Sequence, residues 1–174
     1  FHLPGELIGL DELTGGRHRA SAIALDVASV CELPFTRLEE VARSIPALQH
    51  QLLRLMGHEI NRREDQLLVL GKHGPHQRLA VLLLSISARF AARSYSARRF
   101  RLPMARVDIA NYLGLAPETV SRLLRRFQDA GVIQVRGREV EVCDPAALHA
   151  SAGVEGPAGV QVGTFATPAV RVRR

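Results

Sequence analysis

Between Glu118 and Arg126 the polar residues fall at helical intervals. Glu118, Ser121, Arg122 and Arg125 recur at i, i+3, i+4 and i+7, with Thr119 and Arg126 beside them, so they share one side of a helix. The chemistry such a row performs is hydrogen bonding to base edges. An arginine forks onto guanine O6 and N7, a glutamate accepts from cytosine N4, and a serine serves either. Phosphates repel a carboxylate, so Glu118 favours base reading over plain charge attraction. Glu118 and Arg122 are one turn apart, close enough to brace each other. The expected base readers are Glu118, Ser121 and Arg122. Thr119, Arg125 and Arg126 are expected to touch the backbone of duplex DNA.

A recognition helix of this kind must be held by a second helix. Ile109, Ala110 and Leu113 supply the inner face of a preceding one, and Ala110 is small enough for two helices to cross closely. Gly114 stands where the first helix must turn, a place for a left-handed residue. Leu115 plugs the turn, and Pro117 suits the first turn of the second helix. Glu118 then lies beside its positive end. Val120, Leu123, Leu124 and Phe127 form the buried face at i, i+3, i+4 and i+7. Gly131 marks the stop. Val132–Val135 and Val140–Val142 read as two strands about Arg136-Gly137-Arg138, a hairpin with a cationic tip that fits a wing against phosphates. Arg136 and Arg138 are its expected contacts.

Further upstream, Pro46 opens a long helix with Ser44 as a candidate cap, ended by Gly71 and Lys72-His73-Gly74-Pro75. Leu53, Met56, Ile60, Arg63, Leu67 and Leu70 alternate spacings of three and four, the a/d seam of a coiled coil, which predicts a homodimer. Leu48, Leu52 and Leu55 occupy an adjacent face. Leu79 to Phe90 reads as an amphipathic helix with a broad apolar face, and Arg98 to Leu102 as a basic connection. In the first 36 residues, Ala22–Leu25 and Ser29–Leu33 are short apolar runs that read as strands.

The expected domains are therefore 1–43, the end of a β domain; 44–72, the dimerisation helix; 73–150, a winged helix-turn-helix; and 151–174, a disordered tail. The fold class is α+β. The 174 residues carry a net charge of +6, which suits a polyanionic partner. No run of about 18 apolar residues could span a membrane, and the opening Phe-His-Leu-Pro lacks the features of a signal peptide. Without an initiator Met, the natural protein is expected to begin further upstream. Two cysteines, Cys31 and Cys143, cannot make a disulfide scaffold, which fits a reducing, cytoplasmic setting. Enzyme fingerprints are missing: there is no P-loop, Rossmann glycine pattern or nucleophile elbow. His73 and His76 have H-x-x-H spacing, read as exposed loop histidines rather than metal ligands.

The stretch Arg101–Val142 resembles the winged DNA-binding domain of the Crp/Fnr superfamily. Glu118-Thr119-Val120-Ser121-Arg122 is similar to the E-x-x-S-R pattern of the oxygen-responsive Fnr branch. The resemblance continues through Ile109–Leu115, Leu53-Arg54-Leu55-Met56, Glu59-Ile60 and Phe1–Asp11. It implies that Glu118, Ser121 and Arg122 read a TTGAT-type half-site and that a dimer reads the inverted repeat. It implies a transcription regulator, in this branch an activator, whose β region ends a double-stranded β-roll sensory domain. It implies contact with RNA polymerase through surface loops near Phe90 to Phe100. Val30-Cys31-Glu32-Leu33-Pro34 is similar to the segment holding the internal ligand of an oxygen-labile [4Fe-4S] cluster. In the intact protein Cys31 would join three further cysteines upstream; on composition alone it reads as a small buried residue. Arg63 departs from the branch, where an acidic residue often stands in the seam. The alternative is a sister regulator gated by a cyclic nucleotide or other small ligand. Pro4-Gly5-Glu6 resembles part of a phosphate-binding cassette, but the Arg-Ser pair is displaced to Arg19-Ala20-Ser21.

Overall fold

The computed structural model describes residues 1–10, 18 and 20–153. Most of the expected tail, Arg19 and residues 11–17 lie outside the described residues. Six helices and three strands follow in order: α1 (Phe35–Ser44), α2 (Pro46–Lys72), α3 (Pro75–Ala91), β1 (Arg99–Arg101), α4 (Arg106–Leu113), α5 (Pro117–Asp129), β2 (Ile133–Arg136), β3 (Glu139–Val142) and α6 (Pro145–Ser151). They divide into two compact units, Phe1–Arg63 and Glu64–Arg174, with α2 contributing to both.

Among the described residues of the first unit, Leu3 and Ala42 are the buried apolar ones. The Leu3 amide donates to Glu6 Oε2 at 3.0 Å, and Arg62 donates to the same carboxylate at 3.4 Å. Arg62 and Arg63 both reach Glu59, at 3.4 and 3.3 Å. The expected strands in 22–33 are not formed. Ile23 and Val30 are each 83% exposed, and no segment among the described residues pairs with either run. A strand exists only through its ladder; apolar alternation without a neighbour leaves the backbone to water. Helix α1 is not among the expected elements, although Leu38, Val41, Ala42 and Ile45 have helical spacing and Pro34 precedes it at the cap position. Ser44 closes α1, its hydroxyl donating to the Val41 carbonyl at 2.9 Å, instead of capping α2.

Pro46 opens α2 as expected, and the helix runs two residues past Leu70. No residue of α2 is buried. Along the seam, Leu53, Ile60 and Leu67 are 61%, 56% and 70% exposed; Arg63 is exposed, and Met56 and Leu70 are half-buried. Leu48, Leu52 and Leu55, on the adjacent face, are half-buried.

The second unit is organised around α3, which packs on α4, α5 and α6. Leu79, Leu83 and Ile86 of α3 are fully buried, as are Ile109, Leu113, Val120, Leu124 and Phe127 from the two helices that follow. Gly74 and Gln77 start α3, the Gln77 Oε1 accepting from the Gly74 amide at 2.9 Å. Asp108 does the same for α4, accepting from the Ala105 amide at 2.8 Å. Asp144 caps α6, its Oδ1 accepting from the Ala147 amide at 2.9 Å.

A three-stranded antiparallel sheet of order β1-β3-β2 closes the unit. The register pairs Phe100 with Val140, and Val135 with Val140 from the other side. The expected hairpin is present, shifted by one residue, with Gly137-Arg138 as its connection. Strand β1 occupies what the sequence offers only as a basic connection. Its burial alternates exposed, buried, exposed, a pattern too short to recognise without the partner about 40 residues later.

Gly114 has φ +63° and an amide within 3.4 Å of the Asn111 carbonyl, so α4 ends in a left-handed residue. Gly114→Ala is expected to lower unfolding stability by about 1–2 kcal/mol, measured by urea denaturation. An unchanged midpoint would show that the turn relaxes without strain.

Candidate nucleic-acid interface

The site is α5. Its inner face, Val120, Leu123, Leu124 and Phe127, is buried against the unit. That fixes the roll of the helix and leaves the opposite face outward. Glu118, Ser121, Arg122, Arg125 and Arg126 are exposed and Thr119 is half-buried. Six of the expected contact residues therefore lie on one helix, with Glu118 in its first turn. Arg122 does not brace Glu118; its Nη2 donates to Thr119 Oγ1 at 3.2 Å. The carboxylate of Glu118 is thus left outward at the helix N-terminus, where the helix dipole favours it.

Helix α4 sets the angle of α5. Ala110 is fully buried, and its carbonyl accepts from the Leu115 amide at 2.9 Å, which folds Leu115 back over the turn. Pro117 opens α5 with Ala116 extended before it. At the far end Gly131, with φ +70°, turns the chain so that the Val132 amide reaches the Phe127 carbonyl at 2.9 Å. Helix α5 and strand β2 are thereby packed on one another.

The wing carries more internal pairing than its sequence suggests. Arg99 Nη2 lies 2.8 Å from Glu141 Oε1, and this hydrogen bond, with the charge behind it, raises the arginine pKa above its ordinary value. Arg101 lies 4.0 Å from Glu139. Arg138, expected at the backbone, donates from Nη1 to the Pro103 carbonyl at 3.0 Å, while its own carbonyl accepts from the Leu102 amide at 2.9 Å. The wing tip is so tied to the chain before α4. Arg136 is exposed at the end of β2. These cross-strand pairs escape the sequence because β1 does.

The region Phe90 to Phe100 is only partly a loop. Phe90 ends in α3 and Phe100 is buried in β1, with ring centroids 5.7 Å apart and stacked. Between them, Tyr95 is exposed and meets Phe90 edge-on at 6.0 Å. Ser94 has φ +62°, the sole non-glycine residue with positive φ among the described residues.

Cys31 and Cys143 are both exposed free thiols. Cys31, read from composition as a small buried residue, is exposed here, with no strand formed around it among the described residues. Among the described residues no group of three or more His, Cys, Asp or Glu is placed to hold a metal ion. A [4Fe-4S] cluster needs about four thiolates, so two cysteines do not fit it by themselves. His73 and His76 are half-buried instead of exposed. His76 is in α3, its ring centroid 4.4 Å from that of Phe127. His73 Nδ1 is buried with no hydrogen-bond partner. In Pro4-Gly5-Glu6, the Glu6 carboxylate is engaged by Arg62 and the Leu3 amide. No helix among the described residues is long and apolar enough to cross a membrane.

A helix pair crossing at a glycine turn, an outward polar face on the second helix and a following hairpin define a winged helix-turn-helix protein of α+β class. Residues 77–151 match the Crp-like helix-turn-helix domain. The chain is 49% identical over 158 residues to the transcriptional activator protein Anr of Pseudomonas protegens, an alignment covering 90% of this chain and 65% of that one. It is 45% identical over 153 residues to the fumarate and nitrate reduction regulatory protein of Salmonella typhimurium, covering 88% and 61%. Among solved structures, FixK2 from Bradyrhizobium japonicum is similar with a TM-score of 0.61 and 32% identity, covering 66% of this chain and 57% of that one. A Crp-family transcriptional regulator from Thermus thermophilus shares the fold at a TM-score of 0.50 and 22% identity, covering 62% and 54%. Residues 77–151 thus form a Crp-like helix-turn-helix domain, and the chain is similar over most of its length to Fnr and Anr regulators. It spans less than two thirds of the length of these curated relatives. They are named as transcription regulators, not enzymes.

Both thiols are expected to react with a chromogenic disulfide reagent in the native chain as completely as after denaturation. Fewer than two reactive thiols before denaturation would mean that one is covered.

Proposed function

We propose that the chain is the dimerising and DNA-binding portion of an Fnr-type transcription activator, acting in the cytoplasm and responding to oxygen. A homodimer reads a TTGAT-type inverted repeat. The observation that carries this reading is the outward face at the start of α5, where Glu118, Ser121 and Arg122 project from a helix whose other face is buried. Arg122 supplies the fork for guanine, Glu118 accepts from cytosine, and Ser121 adapts between them. Thr119, Arg125 and Arg126 hold the helix against the phosphates, joined by Arg136 and Arg138 from the wing. Arg138 would do so from a guanidinium already anchored on Pro103.

The domains follow the same reading. Residues 1–43 end a β-roll sensory domain, whose strands form against the rest of the roll. Residues 44–72 are the dimerisation helix, 73–150 the winged domain, and 151–174 a tail. Two copies of α2 pair through Leu53, Met56, Ile60, Leu67 and Leu70; the exposure of Leu53, Ile60 and Leu67 leaves apolar surface on both sides of Arg63 to cover. Arg63 would meet its own copy across that seam. Glu59, 3.3 Å away on the same helix, offsets the repulsion. Burial and the neighbouring Glu64 push the Asp65 carboxyl above its ordinary pKa.

Cys31, exposed and free, is the one thiol of the first unit able to reach a [4Fe-4S] cluster; three further cysteines of the intact protein would have to complete it. The loop from 92 to 98, with Tyr95 outward, is the surface offered to RNA polymerase. The names of the relatives, a transcriptional activator and a fumarate and nitrate reduction regulator, support this assignment.

Two outcomes test the reading. Arg122→Ala is expected to weaken binding to a TTGAT inverted repeat by about tenfold or more, while binding to scrambled duplex changes little. Equal loss on both DNAs in an anisotropy titration would remove the base-reading role. Ile60→Glu is expected to give a monomer in sedimentation analysis, and a dimer that survives the charge would place the seam elsewhere.

A further inference from the structure

Arg78 stands in the first turns of α3, away from the outward face of α5, yet its guanidinium holds three backbone carbonyls at once. Nε donates to the His73 carbonyl at 2.8 Å, Nη2 to the Leu70 carbonyl at 2.7 Å and Nη1 to the Leu113 carbonyl at 3.0 Å. Two of those three acceptors are helix ends. Leu70 is in the last turn of α2, and its carbonyl would next meet the Gly74 amide, which is instead held by Gln77. Leu113 is the final residue of α4. Carbonyls at a helix C-terminus have no partner within the helix and carry its partial negative charge. A planar cation with donors fixed in a fork satisfies both at once, whereas a lysine supplies one point charge.

The third link is the turn. Gly114 follows Leu113, and a Cβ built on it would lie 3.7 Å from Arg78 Nη1. Only Gly114, Leu115 and Ala116 separate Leu113 from Pro117, the first residue of α5. Arg78 therefore joins the end of α2 to the turn that launches α5, by one side chain and without passing through the apolar core.

We propose that Arg78 is a positioning residue that sets the recognition helix in register with the end of α2. Pairing of two α2 helices then fixes the spacing at which two α5 helices meet DNA. This rests on the reading of the chain as a dimer that binds an inverted repeat. Local packing of α3 alone would need no contact to Leu70 and Leu113 together; the double contact is what a spacer between the two helices requires.

The test compares three duplexes with the full chain: a TTGAT inverted repeat, the same repeat with one base pair inserted between half-sites, and a single half-site. The native chain is expected to lose about tenfold or more in affinity on the insertion, in the range of typical couplings. Arg78→Gln should reduce that penalty to about twofold while leaving single half-site affinity within about twofold. Arg78→Lys, which keeps charge and reach but not the fork, should fall between them, and carries the test if the glutamine variant does not fold. A full insertion penalty retained in the folded variants overturns the proposal, as does an equal loss on the single half-site and the repeat, which marks Arg78 as mere support. A native chain indifferent to the insertion overturns it too. A native chain that prefers TTGAT to no other sequence sinks the underlying reading instead, and the proposal with it.

Discussion

The outward chemistry of this protein depends on the turn between α4 and α5, where the Ala110 carbonyl accepts from the Leu115 amide at 2.9 Å. Ala110 is fully buried, so a larger side chain there would have to displace the packing around it. Once the two helices cross at that turn, Gly114 must take its left-handed conformation, Leu115 must fold back, and α5 must present its inner apolar row to the core. The roll of α5 is then no longer free. Glu118, Ser121 and Arg122 face outward because Val120, Leu123, Leu124 and Phe127 cannot. Close packing transmits this constraint, since a core at crystal-like density has one arrangement of its ridges.

The remaining elements hold that arrangement at its edges. Strand β1 crosses to β3 and pairs Arg99 with Glu141, while Arg138 fastens the wing tip to Pro103. Arg78 fastens the start of the turn to the end of α2. Besides those paired with carboxylates, the described arginines named above fall into two groups. Those on α5 and at Arg136 are turned to solvent, whereas Arg78 and Arg138 stitch backbone carbonyls. The net charge of +6 does not separate the two; only their acceptors do.

The second unit was legible where structure follows from local pattern. Helix α5, its buried row, the glycine turn and the hairpin all have signals within a span of a few residues. Strand β1 did not, because three basic-flanked residues become a strand only when β3 arrives about forty positions later. In the first unit the same dependence worked in reverse. The runs at 22–25 and 29–33 alternate as strands should, but with no ladder partner they stay unpaired. Helix α1 had a readable spacing at Leu38, Val41, Ala42 and Ile45, masked by the strand-like runs before it. Of the site, the outward face on α5 was visible in advance. The Glu59–Arg63 pair and the grip of Arg78 were not, since side-chain partners depend on helix roll and on contacts across tens of residues.

Base reading by the start of α5 is what the proposed function turns on. The most direct measurement is selection of duplexes bound by the native chain from a randomised pool, followed by sequencing. Enrichment of an inverted repeat of TTGAT-type half-sites at a single spacing is expected. A pool that binds without any enriched sequence would contradict base reading and reduce the arginines of α5 to contacts with phosphate.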